Sequence, residues 1–439
     1  MNLELPLHEI KNRLFIKNFY INSDDILNQI NDTFILTNKF ISFVIGNSKL
    51  EYLFNKKVGK TNPLRWEFGH VLFFWKELIL DKLNIKLNID HKDIYDSFKT
   101  SWDNRFTPSL LDMFSLVRLF EELKIKLTNY ILLNDKLSPY QSYLLRLGHL
   151  HNEMHNESFI FTLNSLGENP LQYSYLPEKS LIANNIMIEV PLGSFKQGTN
   201  DGFYFDNESP EFVTNVDKFN ISKYCITNYE YLNFIESGGY EKHDYWLREG
   251  WIWKENNKIN HPVYWKFDNK DNIWLEKTFG EYNRLKLNDP VKHISYYEAS
   301  AYCKWAGGRL PKESEWEYLT TFFYEDYKNG ANFNYKNKGV VSVLKDKNEN
   351  TLGIVGLYGN VWEWCLDPFY PYDGFVIDPV YREMSYPFFG YKRICRGGSW
   401  CVPDYLITKS YRNAQSMDCR IQYIGFRIVS APANQQHST

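Results

Sequence analysis

Apolar residues recur every three to four positions through most of the first 170 residues, and then the texture changes. Residues 66–84 (WEFGHVLFFWKELILDKLN) keep the helical period after Asn62-Pro63, and residues 109–133 (SLLDMFSLVRLFEELKIKLTNYILL) keep it after Thr107-Pro108. A third run spans 138–167. Ser138 suits its N-cap, Pro139 its first turn and Gly167 the position just past its end. With at least one more helix in 7–45, the pattern predicts a four-helix bundle. Residues 168–184 are polar, with Pro170 and Pro177. From Ile186 short strand-like runs (IMIEVPLGSF, FVTNVDKFNISKY) alternate with turns rich in Gly, Asn and Asp, and two helices are predicted near 227–237 and 296–306. The expected organisation is a multidomain α+β chain: a helical bundle over 1–178, a linker over 179–185, an irregular α+β domain over 186–432 and a polar tail over 433–439.

Composition narrows the function classes. The chain has 439 residues, 44% of them hydrophobic and 17% aromatic, enough to bury sizeable cores. Its 50 basic and 53 acidic residues are interspersed, which argues against a nucleic-acid or membrane-surface partner. No apolar run approaches the 18 or so residues of a membrane span, and MNLELPLHEI carries no secretory core, so a cytoplasmic protein is expected. Six cysteines, all in the second half and none in CxxC spacing, are expected to be reduced thiols.

Candidate chemistry lies in the third helical run, at His151-Asn152-Glu153-Met154-His155-Asn156-Glu157. Residues four apart share a helix face, so His151 and His155 form a metal-ligand pair. At roughly 100° per residue, Glu153 and Glu157 point well away from that face, and His149 points to the opposite one. A zinc metalloprotease needs Glu directly after the first His; Asn152 stands there. His70, in the apolar helix Trp66-Glu67-Phe68-Gly69-His70, is the third candidate ligand. Two histidines from one helix and one from another give three neutral nitrogen donors with open positions on the metal.

The second domain resembles the sulfatase-modifying-factor (formylglycine-generating enzyme) superfamily, of C-type-lectin-like fold. The resemblance rests on Val190-Pro191-Leu192-Gly193-Ser194-Phe195, Gly308-Arg309-Leu310-Pro311, Glu315-Trp316-Glu317, Gly359-Asn360-Val361-Trp362-Glu363-Trp364, Arg396-Gly397-Gly398-Ser399-Trp400 and Gly425-Phe426-Arg427. The first domain resembles the DinB-like bundle through Gly69-His70 and His151-x-x-x-His155-x-Glu157. Together they look like the iron-dependent sulfoxide synthases of ergothioneine biosynthesis and their ovothiol and selenoneine relatives. In formylglycine generators two cysteines shortly after the Gly-Gly-Ser motif bind copper. Here Cys401 directly succeeds Trp400 and the next cysteine is Cys419, so that thiol chemistry is not expected.

The resemblance implies Fe(II) on His70, His151 and His155, with hercynine or histidine, a thiol (cysteine or γ-glutamylcysteine) or selenium donor, and dioxygen as small-molecule partners. It implies a phenol near the metal as proton donor, with Tyr372 and Tyr381 as alternatives, and substrate contacts at Arg105, Asn413, Gln415 and Arg420. An arginine fork would grip a substrate carboxylate. Two departures stand out. Met154 occupies a position where many relatives have Gln, and Gln415 one where an acidic residue is usual. Met154 and the run 161–167 are similar to the selenoneine branch, and Ser101-Trp102-Asp103 to the ovothiol branch. A reading of another class, a non-catalytic lectin-like binding protein, has no need of three such histidines.

Overall fold

The computed structural model describes residues 19–46, 57, 59–90, 92–178, 181–324 and 326–430; positions 7–18 of the first expected helix and the tail 433–439 lie outside them. The chain divides into two compact units. The first runs to Pro170 and adds two stretches from far along the chain, Asn200–Phe205 and Ile377–Glu383. The second comprises Leu171–Thr199, Asp206–Val376 and Met384 onward.

In the first unit, α1 (Ser23–Gly46) starts behind Asn22, whose side-chain oxygen accepts the Asp24 amide at 2.8 Å. It turns Ile26, Ile30, Phe34 and Ile41 inward. The predicted helix 66–84 is three pieces: α2 (Leu64–Phe74), a π-helical turn at Trp75–Leu80, and one 3-10 turn at Asp81–Leu83 that ends on left-handed Asn84. The next helix, α3 (Met113–Leu132), begins later than the predicted 109. The Asp112 carboxylate caps it by accepting the Ser115 amide at 2.9 Å, and the Tyr95 hydroxyl takes the Leu111 amide at 2.7 Å, so the preceding residues are held as loop.

The last bundle helix, α4 (Pro139–Leu166), matches its sequence signals closely. Ser138 and Gln141 form a reciprocal capping box, and Gly167 takes a left-handed φ of 86°. The Glu168 amide then bonds the Leu163 carbonyl at 2.9 Å and closes the C-terminus. Buried residues lie on almost every side of α4, as expected of a helix at the centre of its unit. Its Gly148 admits the π-helical turn, because a Cβ there would sit 2.6 Å from the Trp75 ring.

The second unit is built from short strands: β1 (Met187–Val190), β2 (Gly193–Gln197), β3 (Phe212–Val216), β4 (Phe219–Ser222), β5 (Trp265–Asp268), β6 (Ile273–Thr278), β7 (Glu281–Arg284), β8 (Gly308–Arg309), β9 (Trp362–Pro368), β10 (Lys392–Arg396), β11 (Asn413–Ser416), β12 (Ile424–Gly425) and β13 (Val429–Ser430). They form one sheet in the order β1-β4-β13-β8, a second in the order β11-β10-β9-β12, and the smaller β2-β3 and β5-β6-β7 sheets. The predicted helices appear as α5 (Asn228–Glu236) and α7 (Tyr296–Trp305). Two more, α6 (Arg248–Asn256) and α8 (Glu313–Leu319), had no clear periodic signal, being short and rich in Trp and Glu.

The residues that carry the family resemblance are mostly internal braces of this unit. Arg427 is buried with Glu363 at 2.9 Å, and its remaining donors reach the carbonyls of Lys223, Val355 and Gly356. Arg396 is buried between Glu313 and Glu317. The Trp316 indole donates to Glu363 at 3.0 Å. Such arrays suit an irregular domain, because buried charges are tolerated when each is paired with an opposite charge. No helix among the described residues is long and apolar enough to cross a membrane.

Candidate metal centre

His70 projects from α2, and His151 and His155 project from one face of α4, one turn apart. One nitrogen from each lies within 4.8 Å of the other two, the one such His/Cys/Asp/Glu grouping among the described residues. Ring centroids are 5.4 Å apart for His70 and His151, 5.0 Å for His70 and His155, and 4.6 Å for His151 and His155.

Neighbouring groups fix how two of the rings can act. The His70 Nδ1 is 2.7 Å from the Tyr95 carbonyl oxygen, which only accepts; the proton therefore sits on Nδ1 and Nε2 keeps its lone pair. His155 Nδ1 is likewise 2.7 Å from the Glu67 carboxylate, leaving its Nε2 as the donor atom. Carbonyl or carboxylate support of this kind is the usual partner of a metal-ligating imidazole. Two aromatic rings complete the walls: Trp66 stacks on His70 at 5.0 Å, and Phe74 lies flat on His151 at 3.5 Å.

Electrostatics agree with the donor set. Burial, helped by the nearby His155, lowers the His70 pKa to about 3, and burial holds His151 well below the ordinary imidazole value. Both are therefore neutral at neutral pH, the form a metal needs. Three converging imidazoles, two of them oriented by hydrogen bonds, fit a divalent transition metal that keeps open positions.

The reverse face of α4 is occupied by a polar network of different purpose. Glu153 accepts from the Thr33 hydroxyl and, at 3.2 Å, from Asn156; Asn156 accepts from Thr37 at 2.8 Å; Asn152 donates to Thr37 at 3.0 Å. Glu153 thus faces α1, away from the histidine cluster, as the helical phase predicts. Why Gly69 precedes His70 is also clear. A Cβ at Gly69 would sit 2.0 Å from the Tyr95 ring, and it is Tyr95 whose carbonyl holds His70.

The other candidate residues are distributed unevenly. Tyr381, in the stretch that returns to the first unit, sets its ring edge-on to His151 at 5.7 Å and to Phe74 at 4.8 Å. Tyr372 belongs to the second unit, where its hydroxyl is 3.4 Å from Gln197 and Arg412 covers its ring at 4.1 Å. Arg105 is in the first unit, and its guanidinium is engaged there with its own loop and with Asn62. It donates to Thr100 O at 3.2 Å, Asn62 Oδ1 at 2.7 Å and Ser97 O at 2.9 Å, over the Trp66 ring. Arg420 pairs with the buried Glu298 at 2.9 Å and also donates to the His261 carbonyl. In this structure each guanidinium is engaged within its own unit. Asn413 and Gln415 lie on β11 of the second unit, half-buried and 3.4 Å apart through their side chains.

Four supporting residues escaped the sequence reading: Glu67, Tyr95, Trp66 and Phe74. Glu67 and Phe74 lie three and four positions from His70 on a helix, a spacing that marks shared faces. Tyr95 and its carbonyl carry no such signal, because the contact depends on how a loop folds back.

Known proteins share both the second unit and part of the first. A family model described as the sulfatase-modifying factor enzyme 1-like domain matches residues 174–432. The hercynine oxygenase of Mycobacterium tuberculosis is 31% identical over 64% of this chain and 69% of its own length. That of Mycolicibacterium smegmatis is 26% identical over 84% of this chain and 91% of its own, so the similarity extends well into the helical region. That of Mycolicibacterium thermoresistibile is 30% identical over 64% and 67% respectively.

Proposed function

We propose that this chain, which belongs to the sulfatase-modifying factor enzyme 1-like family and within it to the hercynine oxygenases, uses iron(II) and dioxygen to join a sulfur donor to the imidazole ring of hercynine. The observation that carries the reading is the cluster of three imidazoles, with Nδ1 of His70 held by the Tyr95 carbonyl and Nδ1 of His155 by the Glu67 carboxylate. Iron(II) bound there would supply the dioxygen chemistry and the open positions at which substrates meet.

The rest of the chemistry is assigned to the chain's own residues. Trp66 and Phe74 stiffen the ligand rings and keep water from their faces. Of the two candidate phenols, we assign proton delivery to Tyr381, because its ring lies beside His151 while the Tyr372 hydroxyl faces Gln197. A positioned acid of this kind is worth about 10²–10⁴-fold. Asn413 and Gln415 keep the substrate contacts that the family resemblance implies. The sulfur donor is a thiol such as cysteine or γ-glutamylcysteine. Met154, similar to the selenoneine branch, makes a selenium donor the alternative, and a histidine–cysteine coupling of ovothiol type stands beside it.

The test is anaerobic iron loading, then addition of oxygen with hercynine or histidine and a panel of thiol and selenium donors, with products identified by mass. A coupled product with one iron per chain supports the reading. Stoichiometric iron without coupling to any donor in the panel would overturn it. In Tyr381→Phe, iron content should hold while the coupled product falls about 10²–10⁴-fold and simple thiol oxidation gains share.

A further inference from the structure

We propose that Tyr143 and Asp378 form a brace that positions Tyr381 against the three-histidine cluster. The inference rests on the role assigned above to Tyr381, and extends it to two residues outside the three-histidine cluster.

The stretch Ile377–Glu383 reaches the first unit from more than two hundred residues beyond α4, so something must fix where it lands. Asp378 does this at both of its oxygens. Oδ1 accepts the amides of Val380 at 2.7 Å and Tyr381 at 3.3 Å, closing a tight local turn. Oδ2 accepts the Tyr143 hydroxyl. Asp378 is 4% exposed and Tyr143 1%, so the bond is shielded from water.

Tyr143 stands on the same helix as the ligand pair, eight residues before His151, or about 12 Å along the axis at about 1.5 Å per residue. The brace therefore ties the backbone of Tyr381 to the element that carries His151 and His155. The Tyr143 ring also stacks on Phe203 at 5.7 Å, so both returning stretches meet at this one side chain. Among the described residues the ring neighbours of His70, His151 and His155 are Trp66, Phe73, Phe74, Tyr381 and one another, so the Tyr143 ring stands apart from the metal's direct supports.

A proton donor must sit within a few tenths of an ångström of its working place, and a displacement of about 1 Å can cost about 100-fold. The brace supplies that constraint where no regular secondary structure does. Tyr143→Phe removes one hydroxyl and keeps the packing. Asp378→Asn keeps an acceptor, whereas Asp378→Ala removes it.

The first measurement is amide hydrogen exchange over 377–383 in the metal-free protein. Loss of a bond to a charged group should speed exchange in Tyr143→Phe by about 10–100-fold, with α4 unchanged. The second is the ratio of coupled product to oxidised thiol in the iron-loaded enzyme. It should fall about tenfold in Tyr143→Phe, less in Asp378→Asn and more in Asp378→Ala. The third is the double variant Tyr143→Phe with Tyr381→Phe, which should be less than about twofold worse than Tyr381→Phe alone, because both changes act through one hydroxyl.

Unchanged exchange in Tyr143→Phe overturns the brace. So does full additivity in the double variant, since Tyr143 would then act by another route. An enzyme that exchanges as expected but makes no coupled product with any donor fails the functional reading instead, and the exchange result still stands for the brace.

Discussion

The two units use buried polar groups in opposite ways. In the second, Arg427 is closed on Glu363 and Arg396 on Glu313 and Glu317, so the most distinctive sequence motifs are taken up in holding an irregular chain together. In the first, the polar atoms around His70 and His155 are arranged so that one nitrogen of each ring is held and the other is left with a lone pair. A dense motif therefore does not by itself locate the chemistry. Donor capacity that the fold orients but does not consume is the better guide.

Removing a donor should have the largest effect. In His151→Ala, metal affinity should fall by well over the roughly 10–100-fold that loss of a supporting partner costs, as read from metal content after gel filtration, while the fold persists. Retained stoichiometric metal would break the contrast at its root. Arg427→Met should do the reverse. It strands Glu363 in the core of the second unit and should cost about 3–5 kcal/mol in urea unfolding, with metal content per folded molecule unchanged. Metal loss in step with stability would mean that the units are not separable in this way.

Gly69→Ala tests whether support and ligand are joined in the first unit. The new methyl meets Tyr95, so about 1–3 kcal/mol of stability and about tenfold in metal affinity should be lost together.

The smallest effect is that of pH on the metal-free protein. Burial holds His70 at about 3, with His149 and His151 also well below the ordinary value. Their contribution to stability is present above about pH 6.5 and is lost as pH falls toward 3, because only the unfolded chain takes up the protons. In the second unit burial raises Asp289 and Glu317 to about 7, so their contribution is present below about pH 4 and is lost as pH rises to 7; the buried His293 opposes them. Protection of α4 amides should weaken on acidification from pH 7 to 5.5. Asp289→Asn should gain stability over its parent at pH 7.5 and progressively less as pH falls toward 4. Parallel pH curves for parent and variant would remove Asp289 from the account.

Much of the first unit could be read from local pattern. The helix 139–166 and its capping are set by Ser138, Pro139, Gln141 and Gly167, and the ligand face by the four-residue spacing of His151 and His155. Local rules failed where distant chain decides. The start of α3 depends on Tyr95 reaching Leu111, and the supports of His70 depend on a loop carbonyl. The return of Ile377–Glu383 to the first unit is written in no periodicity. The contacts that Arg105 makes to Asn62 and Arg420 to Glu298 were likewise invisible, because a guanidinium that grips a substrate and one held inside its unit look alike in sequence.

The π-helical turn at Trp75–Leu80 has a consequence for how this chain tolerates change in length. His70 and Phe74 address α4 before it, Trp75 and Ile79 within it, so the facing positions slip by one across the turn. It acts as a phase shifter, carrying one residue more than an α-helical segment would. Because the turn already holds one residue too many, deleting a single residue there lets it relax to regular helix with little change of phase, so His70 keeps its aim. The α-helix that carries the other two ligands has no such slack, and one residue lost between His151 and His155 rotates one ring by about 100° from the other. A one-codon loss is thus absorbed in the first helix and ruinous in the second, a contrast that a deletion scan would read and a substitution scan would not.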